Sequence, residues 1–165
     1  MELPEQLAHF RKEHDSFLLF LREFENALNL AADREEAKRE MGVRRLRELE
    51  PRFAEIRLHC RDEERALETP SRSLVDDEAM ERLHTDHELF ERLVAEFRIE
   101  LRRIASPPPP DEFFVNGRLL LGHLRHHIAF EEGILKQVED TNANSVAARA
   151  ATRGAPANRP SKVQK

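Results

Sequence analysis

Tryptophan and tyrosine are absent from this sequence, cysteine occurs once, and only five glycines are spread over 165 residues. A single cysteine, Cys60, excludes an intrachain disulfide, which agrees with a reducing compartment. So few glycines leave little material for the tight turns that multi-stranded sheets need. No apolar run approaches the roughly 18 residues required to span a bilayer, and the N-terminus lacks the basic-then-apolar order of a secretory leader. A soluble, unexported, cytoplasmic protein with no membrane role is expected. The missing tyrosine and tryptophan also leave the near-ultraviolet almost transparent and disfavour chemistry that passes through an oxidisable aromatic.

What is present is charge and helix formers. Charged residues make up 36% of the chain, and Glu, Arg, Leu and Ala predominate, a composition that favours helices over strands. The length suits one domain with a real core. The net charge of −5 conceals an asymmetry. Residues 141–165 hold Arg149, Arg153, Arg159, Lys162 and Lys165 and no acid, so the rest of the chain is more acidic than the total suggests. An acidic body offers no footprint for nucleic acid.

Residues 3–30 repeat apolar side chains in heptads, with Leu7, His14, Leu21 and Leu28 on one row and Leu3, Phe10, Phe17 and Phe24 on the next. Asp33 followed by Glu36 reads as the start of a second helix, which should end near Leu67, before Thr69-Pro70. Gly42 and Pro51 interrupt it, so a bend near Gly42 or a kink at Pro51 is expected. A third helix, roughly 75–105, carries Met80, His87, Val94 and Leu101 on one row and Leu83, Phe90, Phe97 and Ile104 on the other. Ser106 and Pro107 to Pro110 form a stiff connector into a fourth helix, roughly 111–139. Beyond Asp140 the composition is that of a basic, disordered tail, which sets the expected bundle domain at 1–140 and the tail at 141–165.

Laying the first helix pair over the second exposes an internal repeat. Glu13-His14-Asp15 falls on Asp86-His87-Glu88, and Phe24 on Phe97. His59-Cys60-Arg61-Asp62-Glu63-Glu64 falls on His127-Ile128-Ala129-Phe130-Glu131-Glu132, with Ile56 over Leu124 and Leu67 over Leu135. Both halves offer His-x-x-x-Glu, which puts imidazole and carboxylate on one helix face, stacked roughly 6 Å apart along the axis. A buried, ionised carboxylate without a counter-charge costs several kcal/mol. Two divalent cations would remove that cost and recruit the imidazoles. Four neutral imidazoles and two carboxylates, with no thiolate among them, suit iron or manganese and tolerate zinc.

This pattern resembles the hemerythrin-like, or HHE cation-binding, domains: a histidine on the first helix, His-x-x-x-Glu on the second, a histidine on the third and His-x-x-x-Glu on the fourth. Here it is met by His14, by His59 with Glu63, by His87, and by His127 with Glu131, over residues 3–139. The resemblance implies an up-down-up-down antiparallel four-helix bundle around two iron ions, an oxo-bridged di-iron centre with Glu63 and Glu131 as bridging carboxylates. It further implies that His14 and His59 serve one iron and His87 and His127 the other. Oxygen-carrying members have a second histidine four residues after the third-helix one and an aspartate five residues after the fourth-helix one. Glu91 and Glu132 stand at those positions here, which resembles the iron-sensing and nitrosative-stress members more.

Plainer readings apply to the neighbours. His9 with Glu13 and His84 with Glu88 also match His-x-x-x-Glu on exposed positions, so spacing alone carries little. Glu91 reads first as an exposed glutamate and second as an extra ligand. His84 reads as a rim residue, His123 and His126 as solvent-facing or as supports for a ligand, and Cys60, which overlays Ile128, as a small core residue rather than a thiolate ligand. The ten phenylalanines fill the core and keep the site dry. Three functions follow: a di-iron protein that binds or senses oxygen, nitric oxide, peroxide or iron itself; an enzyme acting on peroxide or nitric oxide or supplying iron for iron–sulfur cluster repair; and a metal-free interaction bundle. Oligomeric state has no signal in the sequence.

Overall fold

In the computed structural model, which describes residues 3–67, 75–105 and 108–153, the chain is helical with no strand among those residues. The helices are α1 (Leu3–Ala31), α2 (Glu36–Leu49), α3 (Phe53–Leu67), α4 (Asp77–Arg103) and α5 (Asp111–Arg153). A 3-10 turn, Glu50–Arg52, joins α2 to α3, so that the two form one leg of a four-helix bundle. Among the described residues, no helix is long and apolar enough to cross a membrane.

The two candidate interruptions of the second leg behave differently. Pro51 sits at the start of the 3-10 turn, where its missing N–H costs least. Gly42, by contrast, lies inside an unbroken α2 and is buried. A Cβ there would stand 2.2 Å from the backbone nitrogen of Ala31, so this glycine marks where α2 crosses the end of α1 and not a bend. Asp33 also differs from its expected role. It accepts from the N–H of Glu35 at 2.9 Å, and Glu35, with no side-chain cap bond, is the residue preceding α2.

Helix α4 is capped by its own flanking residues. Asp76 accepts from the N–H of Ala79 at 2.7 Å, acids Asp77 and Glu78 occupy the first turn, and Arg102 and Arg103 the last, which complements the helix dipole at both ends. Helix α5 runs 14 residues past the expected end at 139. Alanine, the strongest helix former, is the commonest residue of that extension. The Thr69-Pro70 helix end, the Ser106-Pro107 start of the connector and the disorder expected of residues 154–165 fall outside the described residues.

Two apolar clusters fill the bundle. The larger contains Phe17, Phe20, Phe24, Phe53, Phe90, Phe97 and Phe113 with aliphatic residues from every leg. The smaller gathers Leu7, Phe10, Leu67, Val75, Leu83, Ile134, Leu135 and Val138. Both heptad rows of α1 and both of α4 contribute to them, as the repeat requires. Six buried polar side chains are interleaved with these clusters along the helices: His14, His59, Glu63, His87, His127 and Glu131.

Candidate metal centre

Each of the four legs delivers its residues to this layer from a core-facing position, which is why all six are at least 94% shielded from solvent. The Nε2 atoms of the histidines turn inward toward one carboxylate. Glu131 lies 3.1 Å from His14 Nε2, 3.3 Å from His87 Nε2, 2.7 Å from His127 Nε2 and 3.9 Å from His59 Nε2. His14 and His59 approach each other at 3.0 Å between Nε2 atoms, with ring centroids 4.8 Å apart. His87 and His127 pair in the same way, with centroids 4.7 Å apart.

The Nδ1 atoms turn outward, each toward its own carboxylate. His14 meets Glu132 at 2.7 Å, His59 meets Glu13 at 2.8 Å, His87 meets Glu64 at 2.6 Å, and His127 faces Asp86 at 3.7 Å. These four partners obey the internal repeat: Glu13 corresponds to Asp86 and Glu64 to Glu132. On His14, His59 and His87, where it is within hydrogen-bond distance, the outer carboxylate fixes the ring orientation, holds the proton on Nδ1 and leaves Nε2 free as a donor; Asp86 faces His127 without such a bond. Arg11 in turn bonds Glu132 at 3.3 Å and Glu139 at 2.7 Å, which braces the carboxylate on His14.

The two inner glutamates are not equivalent electrostatically. Burial and the nearby charge of Glu131 push the Glu63 carboxyl well above its ordinary range. Burial acts on Glu131 in the same direction, but the surrounding rings of His127, His14, His59 and His87 override it and hold that carboxyl well below the usual range. Burial opposes charge on His127 too, yet Cys60 and Glu131 outweigh it and raise its pKa to about 9. Against the same desolvation, Glu131 and Glu132 raise His14, and Glu131 and Glu64 raise His87.

Whether a cation fits here is tested by the polar atoms that have no other use. Neither oxygen of Glu63 has a hydrogen-bond partner among the described residues, although the side chain is fully buried. Neither ring nitrogen of His127 reaches hydrogen-bond geometry with a partner, despite the short approach to Glu131. Buried donors and acceptors left in that state cost about 1–3 kcal/mol each. Lone pairs that converge without bonding one another are what co-ligands of a cation offer. One ligand atom from each of His14, His59, Glu63 and Glu131 falls within a 4.8 Å group, and Cys60, His87 and His127 form a second such group. The residues present therefore fit a metal ion.

Of the side chains flanking the pattern, Glu91 is engaged elsewhere, in an ion pair with Arg57. His84 lines a cleft of about 320 Å3 between α3 and α4, whose walls also include Arg57, Glu64 and the buried Cys60 and His87. His123 is half-buried, bonds the carbonyl of Asp86 at 2.9 Å, and stacks parallel to His127 with centroids 6.0 Å apart. His126 is exposed. Sequence reasoning looked to His123 and His126 for support of the ligands and overlooked Glu13, Glu64, Asp86 and Glu132. Their signal was present in the repeat, as an acid preceding each first histidine and a second glutamate following each inner one. Cys60 lies in the larger apolar cluster, as its reading as a small core residue requires, and its sulfur also comes within 4.8 Å of ring nitrogens of His87 and His127.

The fold and this layer define a class: a four-helix bundle with a buried histidine–carboxylate centre suited to cations. The chain belongs to the hemerythrin family, whose HHE cation-binding domain model matches residues 9–138. No curated protein and no solved structure matches it.

Proposed function

We propose that this protein is a non-haem di-iron protein that binds or senses a small ligand, namely oxygen, nitric oxide, peroxide or iron itself. The observation that supports this reading most is the pair of fully buried glutamates, one of them unpartnered, within a ring of four inward-facing Nε2 atoms. His14 and His59 would hold one ion and His87 and His127 the other, with Glu63 and Glu131 shared between them. Manganese or zinc would be accepted by the same donors less readily in that role. When bound, two iron ions supply a redox-active, Lewis-acidic pair able to take up a diatomic or peroxide ligand.

The remaining side chains act on that pair indirectly. Glu132, Glu13 and Glu64 keep the outer protons of His14, His59 and His87 in place and raise the donor strength of Nε2. Phe10 and Phe17 stand edge-on to His59, at 5.5 and 5.1 Å between centroids, and exclude water from that side. The cleft between α3 and α4 favours a second reading, an enzyme turning over peroxide or nitric oxide or handing on iron, because it brings solvent to the His87 side.

Metal analysis with an optical spectrum, before and after exposure to oxygen and nitric oxide, tests the proposal. About two irons per chain and stoichiometric spectral changes are expected. Aerobically purified protein that holds no transition metal, and takes up no ferrous ion anaerobically, would sink it. Stopped-flow turnover of peroxide or nitric oxide, as opposed to one-time binding, would favour the enzyme.

A further inference from the structure

We propose that the Cys60 sulfur joins His87 and His127 as a protein donor to the metal ion at their end of the centre, so that the two metal positions are chemically unequal. The inference rests on the metal-binding reading above and goes beyond the histidine–glutamate set of that reading.

Three observations carry it. Cys60 Sγ and one ring nitrogen from each of His87 and His127 lie within 4.8 Å of one another, all buried. His127 is 99% shielded, and although its Nε2 lies 2.7 Å from a Glu131 oxygen, neither ring nitrogen meets hydrogen-bond geometry among the described residues; that leaves an Nε2 lone pair which a cation shared with Glu131 would take up. The third observation is the broken repeat. Cys60 follows His59 as Ile128 follows His127, and both lie in the larger apolar cluster, but only Cys60 carries an atom able to ligate a metal. A step of one residue turns a helix by roughly 100°, so the residue after His59 leaves the side of α3 that serves the His14–His59 pair. It reaches the other pair instead. The exchange of sulfur for an aliphatic side chain is therefore an exchange of donor for non-donor.

Coordination converts Cys60–SH and a divalent ion into a sulfur–metal bond, and the thiol proton leaves to solvent. No electrons change hands in that step. A set of two imidazoles, carboxylate and thiolate is softer than the His14–His59 set, and favours zinc, cobalt or ferrous iron over manganese. The cleft between α3 and α4, which Cys60 and His87 both line, gives this position the more open approach.

The test uses the full chain loaded with cobalt(II), with Cys60→Ala and Cys60→Ser beside it and circular dichroism as the check on folding. Because Cys60 is the only cysteine and the chain has neither Tyr nor Trp, a sulfur-to-cobalt charge-transfer band has one source and little background. That band is expected in the unaltered protein and lost in both variants, while the ligand-field bands of histidine-bound cobalt remain. The second equivalent of metal should bind about 10–100-fold more weakly in the variants. X-ray absorption of the zinc-loaded, unaltered protein needs no variant, and should show a sulfur shell at about 2.3 Å, averaging about half a sulfur per zinc. Metal binding with no sulfur shell, or with spectra identical in the unaltered and Cys60→Ala proteins, would overturn the role of Cys60 and leave the metal centre standing. Failure of the unaltered protein to bind any of these ions would overturn both.

Discussion

The phenylalanine cluster and the histidine–glutamate layer are built by the same four legs and are equally closed to solvent, yet they act on stability in opposite senses. Phe24, Phe53, Phe90 and Phe97 interlock with ring centroids 5.1–6.4 Å apart, where burial of apolar area contributes roughly 25 cal/mol per Å2. The polar layer buries two carboxylates and four imidazoles, and leaves both Glu63 oxygens without partners. The first region stabilises the bundle under any condition. The second is costly until a cation occupies it. The difference teaches where function resides: in the layer whose geometry the surrounding apolar packing has to enforce against its own energetics.

Truncation in the apolar region should give the largest effect. Phe97→Ala removes a fully buried ring that touches Phe24, Phe53 and Phe113, and should destabilise the protein by about 3–5 kcal/mol in urea titrations, with or without metal. A loss confined to the metal-loaded form would break the division drawn above. In the polar layer the sign reverses. Glu63→Leu should abolish metal binding and yet stabilise the metal-free protein, by about 1–4 kcal/mol, since a buried unpaired carboxyl is exchanged for packing. A destabilised metal-free variant would show that Glu63 has a protein partner after all.

Proton linkage sharpens the same contrast. His127 has a folded pKa of about 9, above the ordinary 6.5. The stability it contributes to the metal-free protein is complete below about pH 6.5 and is lost as the pH rises through about 9. Glu63, also held above its usual range, acts with the same sign over its own window. Glu131 is opposite: its contribution is present above the ordinary 4.5 and is lost as the pH falls through its depressed pKa. Metal ions need neutral imidazoles, so metal affinity rises with pH over the interval in which the metal-free fold weakens. Melting temperatures of chelated and loaded protein should therefore diverge between pH 6.5 and 9, by about 1–3 kcal/mol in stability. Parallel curves would count against protonated histidines in the metal-free centre.

Much of this was legible in the sequence, and the unread parts have physical causes. Heptad rows locate core faces because burial is periodic, so His14 and His87 could be placed among the leucines and phenylalanines before any coordinates were seen. Pairing of outer carboxylates with particular rings was not legible, because each partner comes from another helix and depends on the bundle's rotation about its axes. Gly42 misled for a related reason: a glycine inside a helix reads as a breaker, but a close crossing with Ala31 is a tertiary fact. Cys60 was read as a core residue from its overlay on Ile128 and does lie in the larger apolar cluster; that its sulfur also comes near His87 and His127 depends on how α4 and α5 pack, which the repeat does not encode. The extension of α5 was missed because the absence of an apolar stripe was taken to end a helix, which local propensity can sustain alone.

Conservative changes among the outer carboxylates test the layer more finely. Glu64→Gln keeps the size of the partner on His87 Nδ1 and removes its charge, and should weaken metal binding about 10–100-fold, or about 1.4–2.8 kcal/mol, while Glu91→Gln should leave it unchanged. Equal losses in the two variants would mean that bulk negative charge, and not ring orientation, governs affinity.

The smallest effect should come from a carboxylate in water. Glu25 accepts two hydrogen bonds from Arg125, at 2.7 and 3.3 Å, tying α1 to α5 on the exposed surface. That guanidinium holds the Glu25 carboxyl below its ordinary value, but both side chains are over two-fifths exposed, so solvent screens the attraction. Arg125→Ala should change stability by no more than about 0.5 kcal/mol and leave metal content and its pH dependence untouched. Glu25 and Glu63 are chemically the same group, one with a partner and water, the other with neither. A measurable loss of metal on breaking the surface pair would mean that α1 and α5 are held in register by such contacts, and that the apolar clusters alone do not set the geometry of the layer.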